Sequence, residues 1–342
     1  MEKGKHAMNK KEQIKQRAKK QIASRLIILV ICLICIVVII QTQNEDKEVS
    51  VSQGKSVEQQ EAENQGQEEN EGDNADSSSE ESQTEVKEEP VTPTEDEEIK
   101  SLIAEIKTAN NLTADNFAFF YYNPQTQKYY FDNQDKYFKG ASTVKVPVAM
   151  IYYDKIKNGE LTLESTLQYT SDDYEAGGGT TASTYSVGDY IPITFLLEQS
   201  IINSDNTAVN ILIDGIGYRK CRELMAQYSD EEFIDDFYTS NLTKASFGFD
   251  IINHIYQNQE NYQELIGYMK QSSFGEYLKK YISEYDVAHK YGSYAGNVHD
   301  YGIVFADSPY LIGVYTQNVP GADELIANIS RQVLDKKIDK NE

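Results

Sequence analysis

The residues in this chain best suited to chemistry are a serine and a lysine three positions apart, Ser142 and Lys145. On a helix such positions share a face, so the amine can reach the hydroxyl and take its proton. It can do so only where burial and neighbouring groups hold it partly neutral. A helix N-terminus adds backbone N–H groups that favour a developing negative charge. The spacing alone is not selective, because Ser52 and Lys55 repeat it. Context separates the two pairs. Ser142 opens a segment with an apolar body, VPVAMIYY, closed by Lys155, Lys157 and Gly159, which is the composition of a helix with its stop. Ser52 lies among Glu, Gln, Asn and Ser, with too little apolar surface to fold.

Two later clusters carry further polar chemistry. Ser204-Asp205-Asn206 sits between two helical patterns inside the string SDNTAVNIL, where the same residue types also serve as helix N-caps. Lys290-Tyr291-Gly292 lies in a strand-like run, preceded by His289 and followed by Ser293. A Lys-x-Gly is common by itself, and Lys157-Asn158-Gly159 is another. A Ser-His-Asp hydrolase is disfavoured, since the GASTV around Ser142 lacks the second glycine of a nucleophile elbow. His289 and His299 therefore read as satisfied strand residues. With no H-E-x-x-H and no Cys/His cluster, neither a metal nor another cofactor is expected.

The elements that must position these residues follow from periodicity. Leu102, Ile103 and Ile106 give helical spacing up to about residue 110, and the aromatic runs FAFFYY and KYYF, joined by NPQTQ, read as a hairpin. A helix is expected over 142–158, several more between about 192 and 282, strands at 287–292, 298–305 and 311–316, and a last helix with Leu325, Ile329 and Val333 on one face. This order is α+β, with the first and last strands able to pair in one antiparallel sheet.

Upstream of residue 97 the composition changes twice. Residues 1–40 carry a net +7 and residues 41–98 a net −17, leaving −13 of the total −23 for the remainder. That acidic balance argues against nucleic-acid binding, which needs cationic surface. Residues 26–40 are an unbroken apolar run, extended by its flanks to a span of 22–42, near the usual length of about twenty. Positive charge precedes it, so the head (1–21) is expected in the cytoplasm and the rest outside. The following QTQNED offers no small-residue cleavage site, which favours an uncleaved anchor. Residues 43–96 read as a disordered acidic linker. Cys32 and Cys35 lie within the apolar run, and Cys221 is left without a disulfide partner. A monomer is expected.

Taken together in this order, Ser142-x-x-Lys145, Ser204-Asp205-Asn206 and Lys290-x-Gly292 resemble the active-site set of class A β-lactamases and the related penicillin-binding DD-peptidases. The resemblance spans most of 97–342 and extends to the hairpin before Ser142, the glycines at 177–179 and the terminal helix. It implies a β-lactamase-like fold, an antiparallel sheet flanked by helices with a helical subdomain, and an acyl-enzyme on Ser142. It further implies Lys145 as the neighbouring base, Ser204 as a relay to the leaving nitrogen and Lys290 as positive potential for the substrate carboxylate. Asn206 would hold the substrate amide, and the N–H groups of Ser142 and Ser293 the oxyanion. The implied substrate is a β-lactam, or alternatively a peptidoglycan stem peptide, with a non-catalytic sensor as a third reading. Two positions depart from the family pattern. Tyr291, implied together with Gly292 and Ser293 to contact the substrate, stands after the lysine where Thr or Ser is usual. The stretch 230–246 (DEEFIDDFYTSNLTKAS) has no acid at the required spacing before a Leu-Asn. Glu232, Asp235 and Asp236 are the available substitutes, and slow release of the acyl group is the expectation.

Overall fold

The first described strand lies just before the composition change at residue 97. In the computed structural model, which describes residues 92–272 and 276–338, a two-residue strand β1 (Thr94–Glu95) leads into helix α1 (Glu97–Ala109). Asp96 caps that helix by accepting from the Ile99 amide, which satisfies an otherwise orphaned donor. The expected head, membrane anchor and nearly all of the linker lie outside the described residues. Among the described residues no helix is long and apolar enough to cross a membrane.

The hairpin forms as read, from β2 (Phe117–Asn123) and β3 (Lys128–Asp132). A short β4 (Phe138–Lys139) precedes a single 3-10 turn at Ala141–Val144 and then helix α2 (Lys145–Lys157). Ser142 therefore sits in the tighter turn, and the α-helix itself starts at Lys145. Pro147 falls in the first turn of α2, where its missing N–H has no helical partner to lose.

The helical part follows: β5 (Thr166–Gln168), α3 (Thr181–Thr184), β6 (Tyr190–Pro192), α4 (Ile193–Ile202), α5 (Asn206–Asp214) and α6 (Tyr218–Ala226). A two-residue β7 (Leu242–Thr243) comes before α7 (Ala245–Gln257) and α8 (Gln263–Gln271). The chain then returns through β8 (Val287–Tyr294), β9 (Asn297–Val304) and β10 (Tyr310–Gln317) and ends in α9 (Ala322–Ile338).

The main sheet has the order β1-β3-β2-β10-β9-β8. Its first long strand pairs with its last, Phe120 opposite Gly313, as the α+β reading requires. The expectation of a purely antiparallel sheet is corrected at one edge. β1 runs parallel to β3, with Thr94 opposite Lys128. A parallel pair needs a crossover of about a dozen residues or more, and α1 together with β2 supplies it.

Both faces of the sheet are covered, which explains why FAFFYY shows no polar alternation. Phe117, Phe119 and Tyr121 pack with α1 and α9 on one face, while Ala118 and Phe120 point into the larger cluster with the helical part. β8, at the other edge, is left beside the helical part and the Ser142 turn. Such an edge next to a second wall makes a cleft, and the polar motifs face it.

Candidate active site

The turn carrying Ser142 is held by three hydrogen bonds to main-chain carbonyls. Thr143 Oγ1 donates to Gly140 O at 2.6 Å, Tyr301 donates its hydroxyl to Thr143 O at 2.9 Å, and the Gly140 amide donates to Asn241 O at 2.9 Å. Ala141 adopts a left-handed φ of 46°, an unusual conformation for a residue with a Cβ. Against this turn lies β8 at Gly292. A Cβ there would stand 2.9 Å from the Ser142 amide nitrogen and 3.0 Å from Gly140 O, so only glycine lets the strand approach. That approach sets Ser293, the next residue, beside Ser142.

Ser204 closes the site from the helical side. It too has a left-handed φ, 55°, at the bend between α4 and α5. Asp205 caps α5 by accepting from the Ala208 amide at 3.1 Å, and its other oxygen accepts from the Thr181 amide at 2.9 Å. The glycines at 177–179 are packed directly on this bend. A Cβ on Gly178 would meet Asn203 O at 2.4 Å, and one on Gly179 would collide with the Asp205 carboxylate. The capping reading of Ser-Asp-Asn is met by Asp205, while the Ser204 and Asn206 side chains face Lys145.

Two lysines converge on the Ser204 hydroxyl. Lys145 Nζ donates to Ser204 Oγ at 3.2 Å, to Ser204 O, and to Asn206 Oδ1 at 2.8 Å. Lys290 Nζ donates to the same hydroxyl at 3.1 Å and to Tyr291 O at 3.2 Å. Both amines are buried. Desolvation brings Lys145 down to about 7, against the opposing pull of Asp205 and Glu175. Lys290 is pushed well below its ordinary value, first by complete burial and then by the charge of Lys145, with Asp300 opposing. Burial, and for Lys290 also the charge of Lys145, make both amines easier to deprotonate than a free lysine, which favours a proton acceptor. The three donations of Lys145 point at Ser204 and Asn206 rather than at Ser142.

The cleft between the β8 wall and the helical wall measures about 580 Å³, within the range of small-molecule sites. Ser142, Lys145, Asn206 and Ser293 line it, as do Lys139, Glu175, Arg222 and Asp236. Ser204 and Lys290 lie directly behind. Tyr291 does not line the cleft. It is only 5% exposed, its ring stacks on Tyr277 at 5.3 Å, and its hydroxyl interacts with the Ser204 side chain. The Lys290 ammonium position lies 3.9 Å from that ring. The phenol thus extends the buried proton network instead of presenting itself to substrate, because the strand turns it towards the second core.

His299 receives the Thr316 amide on Nδ1 at 3.2 Å and donates from Nε2 to Lys139 O at 2.9 Å. Burial holds it neutral, down to about 4. His289 pairs with Asp300 at 2.7 Å, wholly buried. The ring bonds of both histidines go to other partners than Ser142. Cys221 is a free buried thiol at the inner end of the cleft, raised to about 12 by burial.

The stretch 230–246 forms the floor. Sequence reasoning passed over the residue that organises it, Arg222 on α6. Its buried guanidinium donates to Phe237 O and Leu242 O, both at 2.7 Å, and stacks 3.8 Å over the Phe237 ring. Burial lowers Arg222 to about 10. Of the three substitute acids, only Asp236 lines the cleft. Of the two other acids of this stretch, Asp230 and Glu231, the latter is engaged by Lys244. Glu175 and Lys139 were also missed. Their one sequence signal was adjacency, to the glycines at 177–179 and to Gly140 respectively.

A model of the β-lactamase enzyme family matches residues 97–336. No curated protein matches the chain. Among solved structures, PBP-A superposes with a TM-score of 0.63 at 20% identity, over 72% of this chain and 98% of that one. A PBP-A variant captured as an acyl-enzyme with penicillin G gives 0.64 at 20% identity over the same shares. A β-lactamase from Sphaerobacter thermophilus gives 0.60 at 21% identity, over 69% and 97%.

Proposed function

Because this chain belongs to the β-lactamase enzyme family, we propose that it is a serine hydrolase that opens β-lactam amides through an acyl-enzyme on Ser142. The observation that carries this reading is the Ser204 hydroxyl shared by Lys145 and Lys290, next to a serine in a helix-opening turn. In the forward step the Ser142 oxygen attacks the amide carbonyl while its proton passes to neutral Lys145, after a small turn of the amine away from Asn206. The oxyanion is received by the Ser142 and Ser293 amides. The carbon–nitrogen bond then breaks, and Ser204 hands its proton to the leaving nitrogen while being reprotonated from a lysine ammonium. Attack of water on the acyl ester would regenerate Ser142.

We assign slow release to that last step. Of the floor that should activate the water, Asp236, Ser240, Asn241 and Leu242 line the cleft, and Asp236 is the one carboxylate among them. The same observation favours a second reading, a penicillin-binding peptidase acting on stem peptides, in which a β-lactam is a trap rather than a substrate. A sensor acylated once is the limiting case.

The reading includes a location. Residues 22–42 would anchor the chain with its N-terminus in the cytoplasm and the hydrolase outside, supported by the apolar run at 26–40 and the charge difference across it. Alkaline washing should leave the chain in the membrane fraction, and protease added to intact cells should remove the hydrolase.

The decisive experiment is exposure of the full chain to a fluorescent penicillin, followed on denaturing gels and by intact mass, with Ser142→Ala alongside. A Ser142-dependent adduct lasting hours is expected. Decay within seconds would identify a rapid β-lactamase with an unrecognised base, and absence of any adduct would remove β-lactam acylation from the assignment.

A further inference from the structure

The charges lining the cleft are not evenly spread. Lys139 stands on the sheet side, in β4, where His299 donates to its carbonyl and its amine lies 5.6 Å from the Tyr294 ring. Glu175 stands on the helical side. Its Oε1 accepts from Asn206 Nδ2 at 3.2 Å, and its Oε2 accepts from Asn210 Nδ2 at 3.1 Å. Both partners are neutral amides of α5, so they aim the carboxylate without cancelling its charge. Among the described residues, no lysine, arginine or histidine forms an ion pair with it. The side chain is exposed and lines the same cleft as Ser142.

We propose that Glu175 is a specificity-determining residue that selects substrates carrying a positive charge on their acyl side. The proposal rests on the acyl-transfer reading above, in which Asn206 holds the amide next to the scissile carbonyl. Glu175 already bonds Asn206, so a substituent extending from that amide passes the carboxylate first. An ammonium there meets an aimed, unpaired negative charge. A neutral substituent leaves it facing water, and an anionic one is repelled. The carboxylate also acts on the reacting groups. Glu175 favours the charged form of Lys145, and a substrate cation that offsets it eases loss of the Lys145 proton. Binding and acylation are thus both helped by the same charge.

The test compares two penicillins that differ by one α-ammonium group, ampicillin and penicillin G. Second-order constants for acylation of Ser142 in the full chain are measured at pH 6.5, below the ordinary α-amino range. The wild type should favour ampicillin by about three-fold at low salt, as expected for a partly exposed ion pair. That ratio should fall towards one in about 1 M salt, where the Debye length is about 3 Å. In Glu175→Gln, which keeps an oxygen acceptor for Asn206, the ratio should be near one at both salts. In Glu175→Lys it should fall below one. A ratio unchanged by Glu175→Gln, or a wild-type preference for penicillin G, would overturn the proposal. A ratio lost in Asp236→Asn instead would transfer the selectivity to that residue. Failure of both penicillins to label Ser142 is a separate result, because it removes the acyl-transfer reading on which the selectivity depends.

Discussion

The Ser204 corner and the floor at 230–246 face the same cleft, yet they are built in opposite ways. At the corner, two buried amines, a hydroxyl and a phenol are joined by hydrogen bonds and held by left-handed backbone at Ala141 and Ser204. In the floor, a guanidinium is spent on loop carbonyls and an aromatic ring, while the carboxylates face solvent or a lysine. One region concentrates perturbed titratable groups, which is where proton transfer is expected. The other concentrates packing. The contrast teaches that buried proton-transfer groups and structural packing can be separated within one cleft, and on the proposed acyl-enzyme reading the corner would serve acyl formation and the floor would leave release unassisted.

Breaking the corner should have the largest effect. Ser204→Ala and Lys290→Ala are each expected to slow acylation of Ser142 by about 10²–10⁴-fold. Because both act on one proton path, the double variant should be little worse than the poorer single one, a non-additivity that stopped-flow labelling can read. Additive losses would mean that the two groups act separately.

Breaking the floor should cost stability before chemistry. Arg222→Met leaves Phe237 O and Leu242 O without their donors, at about 1–3 kcal/mol for each such group. Thermal unfolding should therefore drop by several degrees, roughly 2–4 °C per kcal/mol for a domain of this size. Labelling of Ser142 should persist below the new transition.

Titration sharpens the comparison. With Lys145 brought down to about 7, the acylation rate should rise from pH 5.5 through 7 and then level, as the amine loses its proton. The same shift has a sign in stability. Between about 7 and the unfolded value of 10.5 the unfolded chain binds the proton and the folded chain does not, so stability rises with pH. The contribution is at most about 1.4 kcal/mol per pH unit. Lys145→Met should flatten the slope of urea midpoints between pH 7 and 9, whereas Arg222→Met should leave it in place. A wild-type slope equal to that of Lys145→Met would contradict a neutral buried amine.

The smallest effect expected is from Asp236→Asn, less than about two-fold on the lifetime of the penicillin adduct, well short of the 10²-fold that losing a general base brings. A tenfold or longer lifetime would make Asp236 the deacylating base and weaken the contrast between corner and floor.

Local pattern alone determined much of this molecule. The hairpin from β2 and β3, the helix after Ser142, the three closing strands and α9 are legible because each buries a face that its own sequence marks. The three polar motifs, their order and the family they resemble were equally legible, and so was the absence of a suitably spaced acid in 230–246. Other features depend on residues far apart in the chain, which periodicity does not see. β1 reads as the end of an acidic linker until β3 offers it an edge. Tyr291 reads as a substrate contact until the twist of β8 turns it onto Tyr277. The lowered value of Lys145 comes from burial, and the second lysine on its Ser204 partner is contributed by β8; neither is written in Ser-x-x-Lys. Arg222 and Glu175 look like ordinary surface charges until α6 buries the one under the floor and α5 aims the other into the cleft. Sequence fixes which groups are available. The tertiary structure decides which are dry, which are paired and which face substrate, because desolvation and Coulomb forces act through space rather than along the chain.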